Sequence, residues 1–139
     1  MRSLAVVDSG PLIAALNRAD PHHRSCLEIL TSLRHDVVVP ALCVAEVAYL
    51  IGRRLGAEVE ASFLAGLQAL DVQGPSPEDW PPVAELVRRF ADLPLGGTDA
   101  SVVVLAERLE ADHLVTLDRC HFSVVRPRGV EVLFPKRGG

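Results

Sequence analysis

The most constraining stretch of the chain is LAVVDSGPL, residues 4–12, in which an apolar run ends abruptly in Asp8. Four successive apolar residues are typical of a strand buried on both faces of a parallel sheet. Ser9 and Gly10 can cap a helix, and Pro11 then falls in its first turn, where a missing N–H costs little. The stretch therefore predicts Asp8 at the carboxyl end of a first strand, where open α/β sheets bind their ligands. A carboxylate at such a junction can also serve only as a helix cap, so both interpretations remain open here.

Strand and helix patterns alternate along the rest of the chain. Further strands are predicted at 37–39, 70–72, 114–117 and 130–134, with a short piece at 124–125. Helices are predicted at 11–17, 21–34, 41–55, 57–70, 79–90 and 98–109, the last with Thr98 as its cap. This alternation indicates one α/β domain over 1–139, a three-layer α/β/α sandwich with a central, mainly parallel sheet. A short disordered tail is expected from about residue 136.

Composition narrows the class of protein. The chain has 139 residues, of which 49% are hydrophobic and 23% charged, so it can build one sizeable core and disorder is not expected. The formal net charge of −4 counts mildly against a nucleic-acid binder, but this measure misleads where acids converge on a metal. All but one of the 14 basic residues are Arg, which suits bidentate phosphate contacts but equally fits a GC-rich genome.

Cysteines and apolar runs bear on the cellular compartment. Cys26, Cys43 and Cys120 are odd in number and far apart, which is typical of buried residues in a reducing cytosol and not of a disulfide framework or a zinc site. No signal peptide is apparent because Asp8 interrupts the apolar start, and no apolar run approaches the ~20 residues of a membrane span. The sequence therefore predicts a cytoplasmic protein without a membrane segment.

Three other acids stand at positions comparable to that of Asp8. Asp118 follows the strand at 114–117, Asp99 opens the preceding helix, and Glu46 is the single charge in the apolar run ALCVAEVAYLI. Right-handed crossovers bring the strand ends to one edge of the sheet, and Glu46 can join them if it is buried there. The alternatives are that Glu46 faces solvent and that Asp99 only complements a helix dipole.

Converging carboxylates have a characteristic chemical consequence. Four such groups cannot all stay ionised without cations, so the pattern favours a metal site. Ligation by oxygen alone suits Mg²⁺ or Mn²⁺, whereas zinc prefers His or Cys. A site of this kind can activate water against a phosphodiester.

Four pieces of the chain, VVDSGPLIA, VPALCVAEVAYL, DLPLGGTDA and LVTLDRCHF, resemble in order the PIN-domain ribonucleases, and in particular VapC-type toxins of bacterial toxin–antitoxin pairs. The resemblance implies an Mg²⁺- or Mn²⁺-dependent endoribonuclease that forms a homodimer and is neutralised by a cognate antitoxin in a higher assembly. Position by position, it makes Asp8, Glu46 and Asp99 the core catalytic and metal-binding acids. Asp118 matches a fourth, more variable acid, and its direct contact with metal stays open, as does the number of ions.

The resemblance also assigns supporting residues. Ser9 and Thr116 match polar residues that line such sites, and Asp92 matches an acid before the Asp99 loop with a supporting role rather than a ligand role. The candidates for RNA contact are Arg119, Arg53 and Arg54. The hairpin of helices at 41–70 is expected to expose apolar surface to the second subunit and the antitoxin, notably at Tyr49, Leu50 and Phe63.

Other protein classes fit less well. A receiver-type signalling domain needs a lysine near its acidic pocket, and Lys136 lies in the tail. A dehalogenase-type phosphatase needs DxD after the first strand, but Ser9 and Gly10 follow Asp8, and no GxxxxGK motif supports a P-loop NTPase. The remaining alternative is a catalytically inactive PIN-like module that binds RNA or protein. The identity of the RNA is left open by the sequence.

Overall fold

A computed structural model describes residues 2–138, which form a five-stranded sheet covered by helices. The strands are β1 Ser3–Val7, β2 His35–Pro40, β3 Asp71–Gln73, β4 His113–Val115 and β5 Glu131–Leu133. The helices are α1 Ser9–Leu16, α2 His23–Thr31, α3 Ala41–Leu55, α4 Ala57–Gly66, α5 Trp80–Arg89, α6 Gly97–Arg108 and α7 Arg119–Phe122. Short 3-10 turns, Leu67–Ala69 and Pro77–Asp79, precede β3 and α5.

The sheet is parallel in every pairing of the described strands, and its order is β3-β2-β1-β4-β5. The chain moves outward from β1 through β2 to β3, then crosses back to β4 on the other side of β1. Because such crossovers are right-handed, α1–α4 cover one face and α5 and α6 the other. The predicted three-layer α/β/α sandwich with a parallel sheet is confirmed.

The core is centred on β1, as its apolar run predicts. Ala5, Val6 and Val7 are fully buried, and so are Leu114 and Val115 on the neighbouring strand β4. Strands buried on both faces are the rule in parallel sheets sandwiched by helices, which is why they need no polar alternation. The central strands therefore fix the edge at which their carboxyl ends meet.

Several predicted boundaries differ from the observed ones. Helix α1 begins at Ser9 with Asp8 in the cap position, and α6 begins at Gly97 after a cap at Gly96. Thr98, the predicted cap of α6, therefore lies inside the first turn, where its carbonyl accepts a hydrogen bond from the Ser101 hydroxyl. The valines at 124–125 do not form a strand, because both backbone N–H groups bond back to the His121 carbonyl in a turn after α7.

The α3–α4 pair forms the predicted helical hairpin, with a turn at Gly56. Phe63 was expected to add to its exposed apolar surface, but this side chain is buried in the core. Tyr49 is 61% exposed, as expected, and Leu50 is partly buried. The apolar surface of the hairpin is therefore smaller than the sequence suggests.

The segment 136–138, where the sequence predicts a disordered tail, makes two hydrogen bonds near α2. The Ser25 hydroxyl donates to the Lys136 carbonyl, and the Gly138 N–H donates to the Pro21 carbonyl, each at 2.6 Å. Gly139, the end of the predicted tail, lies outside the described residues. Across residues 2–138, the helices are too short or too polar to cross a membrane.

Candidate functional site

Asp8 directly follows β1, and its carboxylate is held at the edge of the sheet. It occupies the cap position of α1 but makes no side-chain capping hydrogen bond. Its Oδ2 instead accepts a hydrogen bond of 2.8 Å from the Thr116 hydroxyl, and Cys43 Sγ lies 3.9 Å from Oδ1. Asp8 is 5% exposed and Thr116 fully buried, so this pair lies at the base of the site. The interpretation of Asp8 as a simple helix cap is therefore wrong.

Asp118 is joined to Asp8 through the same hydroxyl. Thr116 Oγ1 accepts a hydrogen bond of 3.0 Å from the Asp118 N–H while it donates to Asp8. Asp118 then caps α7, because its Oδ1 accepts from the His121 N–H at 3.0 Å. Its Oδ2 lies 2.5 Å from His121 Nδ1. The segment from Thr116 to His121 is thus held together by its own side chains.

Asp99 enters from the other layer of helices. It lies in the first turn of α6, and its Oδ2 is 4.0 Å from His121 Nδ1. Asp99, Asp118 and His121 each offer a ligand atom within 4.8 Å of the others. The three strand-end junctions that the sequence predicts to converge therefore do so.

Glu46 differs from its prediction. It is exposed, whereas its apolar surroundings predicted burial. The reason is that the buried stripe of α3 consists of Cys43, Val47 and Ile51, which are spaced by four residues, and Glu46 lies off this stripe. Its charge nevertheless acts on the site, because it contributes to raising the pKa of Asp8 and of Asp99.

Two carboxyl groups of the site, those of Asp8 and Asp99, hold protons more tightly than usual. Burial raises the pKa of Asp8, and the hydrogen bond from Thr116 partly opposes this rise. Burial, followed by the charge of Asp8, raises the pKa of Asp99 to about 6, against an opposing effect of His121. The hydrogen bond to Asp118 raises the pKa of His121 in turn. Burial and neighbouring negative charges both favour the protonated form of a carboxyl group, so the two effects act in the same direction at this site.

The supporting residues divide into two groups. Ser9 is 3% exposed, next to Asp8, and its hydroxyl has no hydrogen-bond partner in residues 2–138. Asp92 is exposed in the turn before α6 and has no contact with the four acids among the described hydrogen bonds. The supporting role of Asp92 therefore stays a prediction, whereas Ser9 lies beside Asp8.

The arginine candidates lie in different places. Arg119 follows Asp118, and its guanidinium lies 4.4 Å from the centre of the Phe134 ring. Arg53 instead stacks on Tyr49 and donates to its hydroxyl at 3.2 Å, about two helical turns beyond Glu46. Arg54 is exposed beside it. Of the three, Arg119 is the one that the fold holds next to a site carboxylate.

Sequence reasoning missed two residues that contact the acids, His121 and Cys43. A signal for His121 is present, since it follows the cap Asp118 by three residues, the spacing at which side chains meet on a helical turn. Cys43 carries no such signal, because a buried thiol below Asp8 looks like any other core position. Burial raises the pKa of the Cys43 thiol, which therefore stays protonated against Asp8.

The donor set suits a divalent cation. Carboxylate oxygens dominate it, which hard cations prefer. Two buried polar atoms in this region, Ser9 Oγ and His121 Nε2, lack partners among the described residues. Buried polar atoms are normally hydrogen-bonded, so such exceptions are typical of a site completed by water or an ion. The residues present therefore fit a metal centre.

Comparison with known proteins identifies the family of the chain. The family model of the PIN domain matches residues 5–126. Ribonuclease VapC26 of Mycobacterium tuberculosis is 33% identical over 126 residues, which cover 89% of this chain and 93% of that protein. The solved structure of VapC20 of Mycobacterium tuberculosis, described as a Sarcin-Ricin loop cleaving toxin, superposes with a TM-score of 0.78 at 18% identity, covering 91% of this chain and 98% of that one.

A second solved structure, which was determined with bound DNA, is also similar. VapBC2 from Rickettsia felis, solved with a DNA fragment from its promoter, matches with a TM-score of 0.71 at 18% identity and covers 96% of this chain and 99% of that one. At this identity the likeness establishes the fold, whereas the family model and the 33% identical relative establish the family. The chain belongs to the PIN-domain family and, within it, to the VapC-type ribonucleases.

Proposed function

We propose that this protein is a metal-dependent endoribonuclease that hydrolyses RNA phosphodiester bonds and acts as the toxin of a type II toxin–antitoxin pair. The observation that carries the proposal is the convergence of Asp8, Asp99 and Asp118 at the carboxyl edge of the sheet, with Thr116 bridging two of them. The curated relative is named a ribonuclease, and several structural neighbours are toxin–antitoxin complexes. Both facts support RNA as substrate and a cognate antitoxin as partner.

The site residues divide the chemical tasks between them. Asp8, Asp99 and Asp118, with Glu46 from α3, would hold Mg²⁺ or Mn²⁺, and Thr116 and Ser9 support Asp8. When bound, the cation would supply positive charge for the phosphodiester and make the attacking water more acidic. One of these carboxylates would accept a proton from the attacking water as general base. Hydrolysis would leave a 5′-phosphate and a 3′-hydroxyl.

Arg119 is the strongest candidate for contact with the RNA backbone. Its guanidinium is held on the Phe134 ring next to Asp118, and in residues 2–138 it forms no ion pair with a carboxylate. A pre-positioned guanidinium with free N–H groups suits phosphate oxygens. Arg53 and Arg54 lie near the end of α3, so their contact with RNA stays a prediction.

A homodimer and a cytoplasmic location complete the proposal. Tyr49, Leu55 and Leu64 expose apolar surface along the α3–α4 hairpin, which supports a contact with a second copy of the chain and with the antitoxin. Cys26, Cys43 and Cys120 are all free thiols, which fits a reducing compartment.

RNA cleavage by the purified protein tests the proposal. We expect cleavage with Mn²⁺, no cleavage in EDTA, and a loss of about a hundredfold or more in Asp8→Asn. The matched control is Asp36→Asn, because Asp36 is an exposed acid paired with Arg2 away from the site. Cleavage by Asp8→Asn at the rate of the unaltered protein would contradict the proposed site, and absence of cleavage by the unaltered protein with Mn²⁺ would favour an inactive binding module.

A further inference from the structure

His121 is the one residue of the site that brings nitrogen to a cluster of oxygens. Its Nδ1 lies 2.5 Å from Asp118 Oδ2 and 4.0 Å from Asp99 Oδ2. We propose that His121 is a nitrogen ligand of the divalent-metal site and that it makes this site prefer a first-row transition metal such as Mn²⁺ over Mg²⁺. This inference rests on the proposed function, since it assigns a ligand to the same metal centre.

The fold holds the imidazole in place before any ion binds. Helix α7 is a single turn, capped at its start by Asp118, and the neighbouring Phe122 is fully buried. The His121 ring therefore has little freedom to leave the cluster. A ligand held in this way loses little conformational entropy when it binds, which favours its participation in the site.

The distances suit a shared cation. With metal–ligand bonds of ~2.1 Å, two atoms bound to one ion lie roughly 3 to 4 Å apart. The separation of His121 Nδ1 from Asp99 Oδ2 falls in this range, and the shorter contact with Asp118 needs to open by about half an ångström. A cation between Asp99 and Asp118 would thus come within reach of Nδ1.

The second ring nitrogen of His121, Nε2, can carry the proton of the neutral ring. His121 Nε2 is buried and has no hydrogen-bond partner among the described residues. In the described structure the proton on Nδ1 is shared with Asp118 Oδ2. A cation bound by Asp118 would displace this proton, and because Nε2 can carry the proton of the neutral ring, Nδ1 could then offer its lone pair to the metal. Mg²⁺ selects oxygen ligands, whereas an imidazole in the set favours transition metals. The preference for Mn²⁺ follows from this difference.

The competing interpretation is that His121 only positions Asp118 through a hydrogen bond. Pulsed electron paramagnetic resonance of Mn²⁺ bound to the full-length protein distinguishes the two, because a directly bonded imidazole nitrogen couples to the electron spin. We expect this coupling in the unaltered protein and in the control His22→Ala, whose histidine precedes α2. We expect its loss in His121→Ala.

Calorimetric titration of each ion supplies a second measure. In His121→Asp an oxygen ligand replaces nitrogen, so we expect Mn²⁺ to bind still but the ratio of the Mg²⁺ and Mn²⁺ dissociation constants to fall about tenfold. This variant also keeps the test decisive if His121→Ala does not fold.

The outcomes separate the two proposals. Bound Mn²⁺ without nitrogen coupling in the unaltered protein, or coupling that persists in His121→Ala, would overturn the role of His121. If RNA cleavage with Mn²⁺ continues in that case, the proposed nuclease function stands. Absence of any Mn²⁺ binding would overturn both.

Discussion

Thr116 is the residue that fixes the relative position of two acids from different strands. Its hydroxyl uses its donor for Asp8 and an acceptor lone pair for the Asp118 N–H. The residue is fully buried, so water cannot replace either contact. One hydroxyl therefore links the two acids and also lowers the pKa of Asp8 against the larger effect of burial.

Replacement of Thr116 by valine tests this role at nearly constant shape. We expect Thr116→Val to lower the free energy of unfolding by about 1–3 kcal/mol, because it leaves the Asp118 N–H and the buried Asp8 carboxyl without a partner. RNA cleavage should fall with it, whereas Thr116→Ser, which keeps the hydroxyl, should retain most of both properties. Urea denaturation and a cleavage assay measure the two effects. Normal cleavage by the valine variant would show that the hydroxyl does not organise the site.

The protonation of Asp99 makes the free energy of unfolding depend on pH. A pKa of about 6, against 3.8 ordinarily, means that the folded protein binds this proton more tightly than the unfolded chain does. The free energy of unfolding of the metal-free protein therefore falls as pH rises from about 4 to about 6. We expect Asp99→Asn to remove this fall and to be roughly 1–2 kcal/mol more stabilising at pH 7.5 than at pH 4.5, after allowance for solvent screening. Denaturant titrations in EDTA at both pH values measure the free energy of unfolding of each protein. An equal effect of Asp99→Asn at the two pH values would contradict the prediction.

At the scale of elements, the turn between α3 and α4 depends on one glycine. Gly56 has a φ of +93°, a region that side chains with a Cβ rarely adopt. We expect Gly56→Ala to lower the free energy of unfolding by about 1–2 kcal/mol. The control is Gly66→Ala at the end of α4, where φ is −65° and an added Cβ meets no atom within 4 Å. This control should stabilise slightly. Thermal or denaturant unfolding decides, and equal effects at both sites would exclude the conformational explanation.

The helices and strands could largely be predicted where apolar residues form a continuous run or lie on one face of a helix. The apolar run before Asp8 is a buried strand, as predicted, and the helix predicted at 79–90 is present as α5, with Val83 and Leu86 buried. Helix α3 was harder, because the exposed Ala45 and Tyr49 and the partly buried Val44 conceal the direction of its buried stripe. The prediction that Glu46 is buried failed for this reason: hydrophobicity of neighbours in sequence does not give the face on which a residue lies.

At the scale of the whole molecule, the convergence of the acids could be predicted from topology, but the contacts of His121 and Cys43 with them could not. Right-handed crossovers suffice to bring Asp8, Asp99 and Asp118 to one edge of the sheet. The approach of His121 depends on a single turn of helix after β4, and the contact of Cys43 with Asp8 depends on the packing of α3. Such contacts arise from the three-dimensional packing of residues that carry no distinctive pattern.

The proposed homodimer concerns the surface of the whole molecule. Tyr49 is 61% exposed on the α3–α4 hairpin, which also exposes Leu55 and Leu64, so we expect the surface around Tyr49 to be buried between two copies. Light scattering at micromolar concentration should give about twice the chain mass of 15.0 kDa. Tyr49→Glu should shift it to the monomer, because an unpaired charge is costly in a buried interface. Leu33→Glu is the control, since Leu33 is 84% exposed between α2 and β2, away from the hairpin. A monomeric unaltered protein would contradict the homodimer, and dissociation by Leu33→Glu alone would place the subunit contact away from the hairpin.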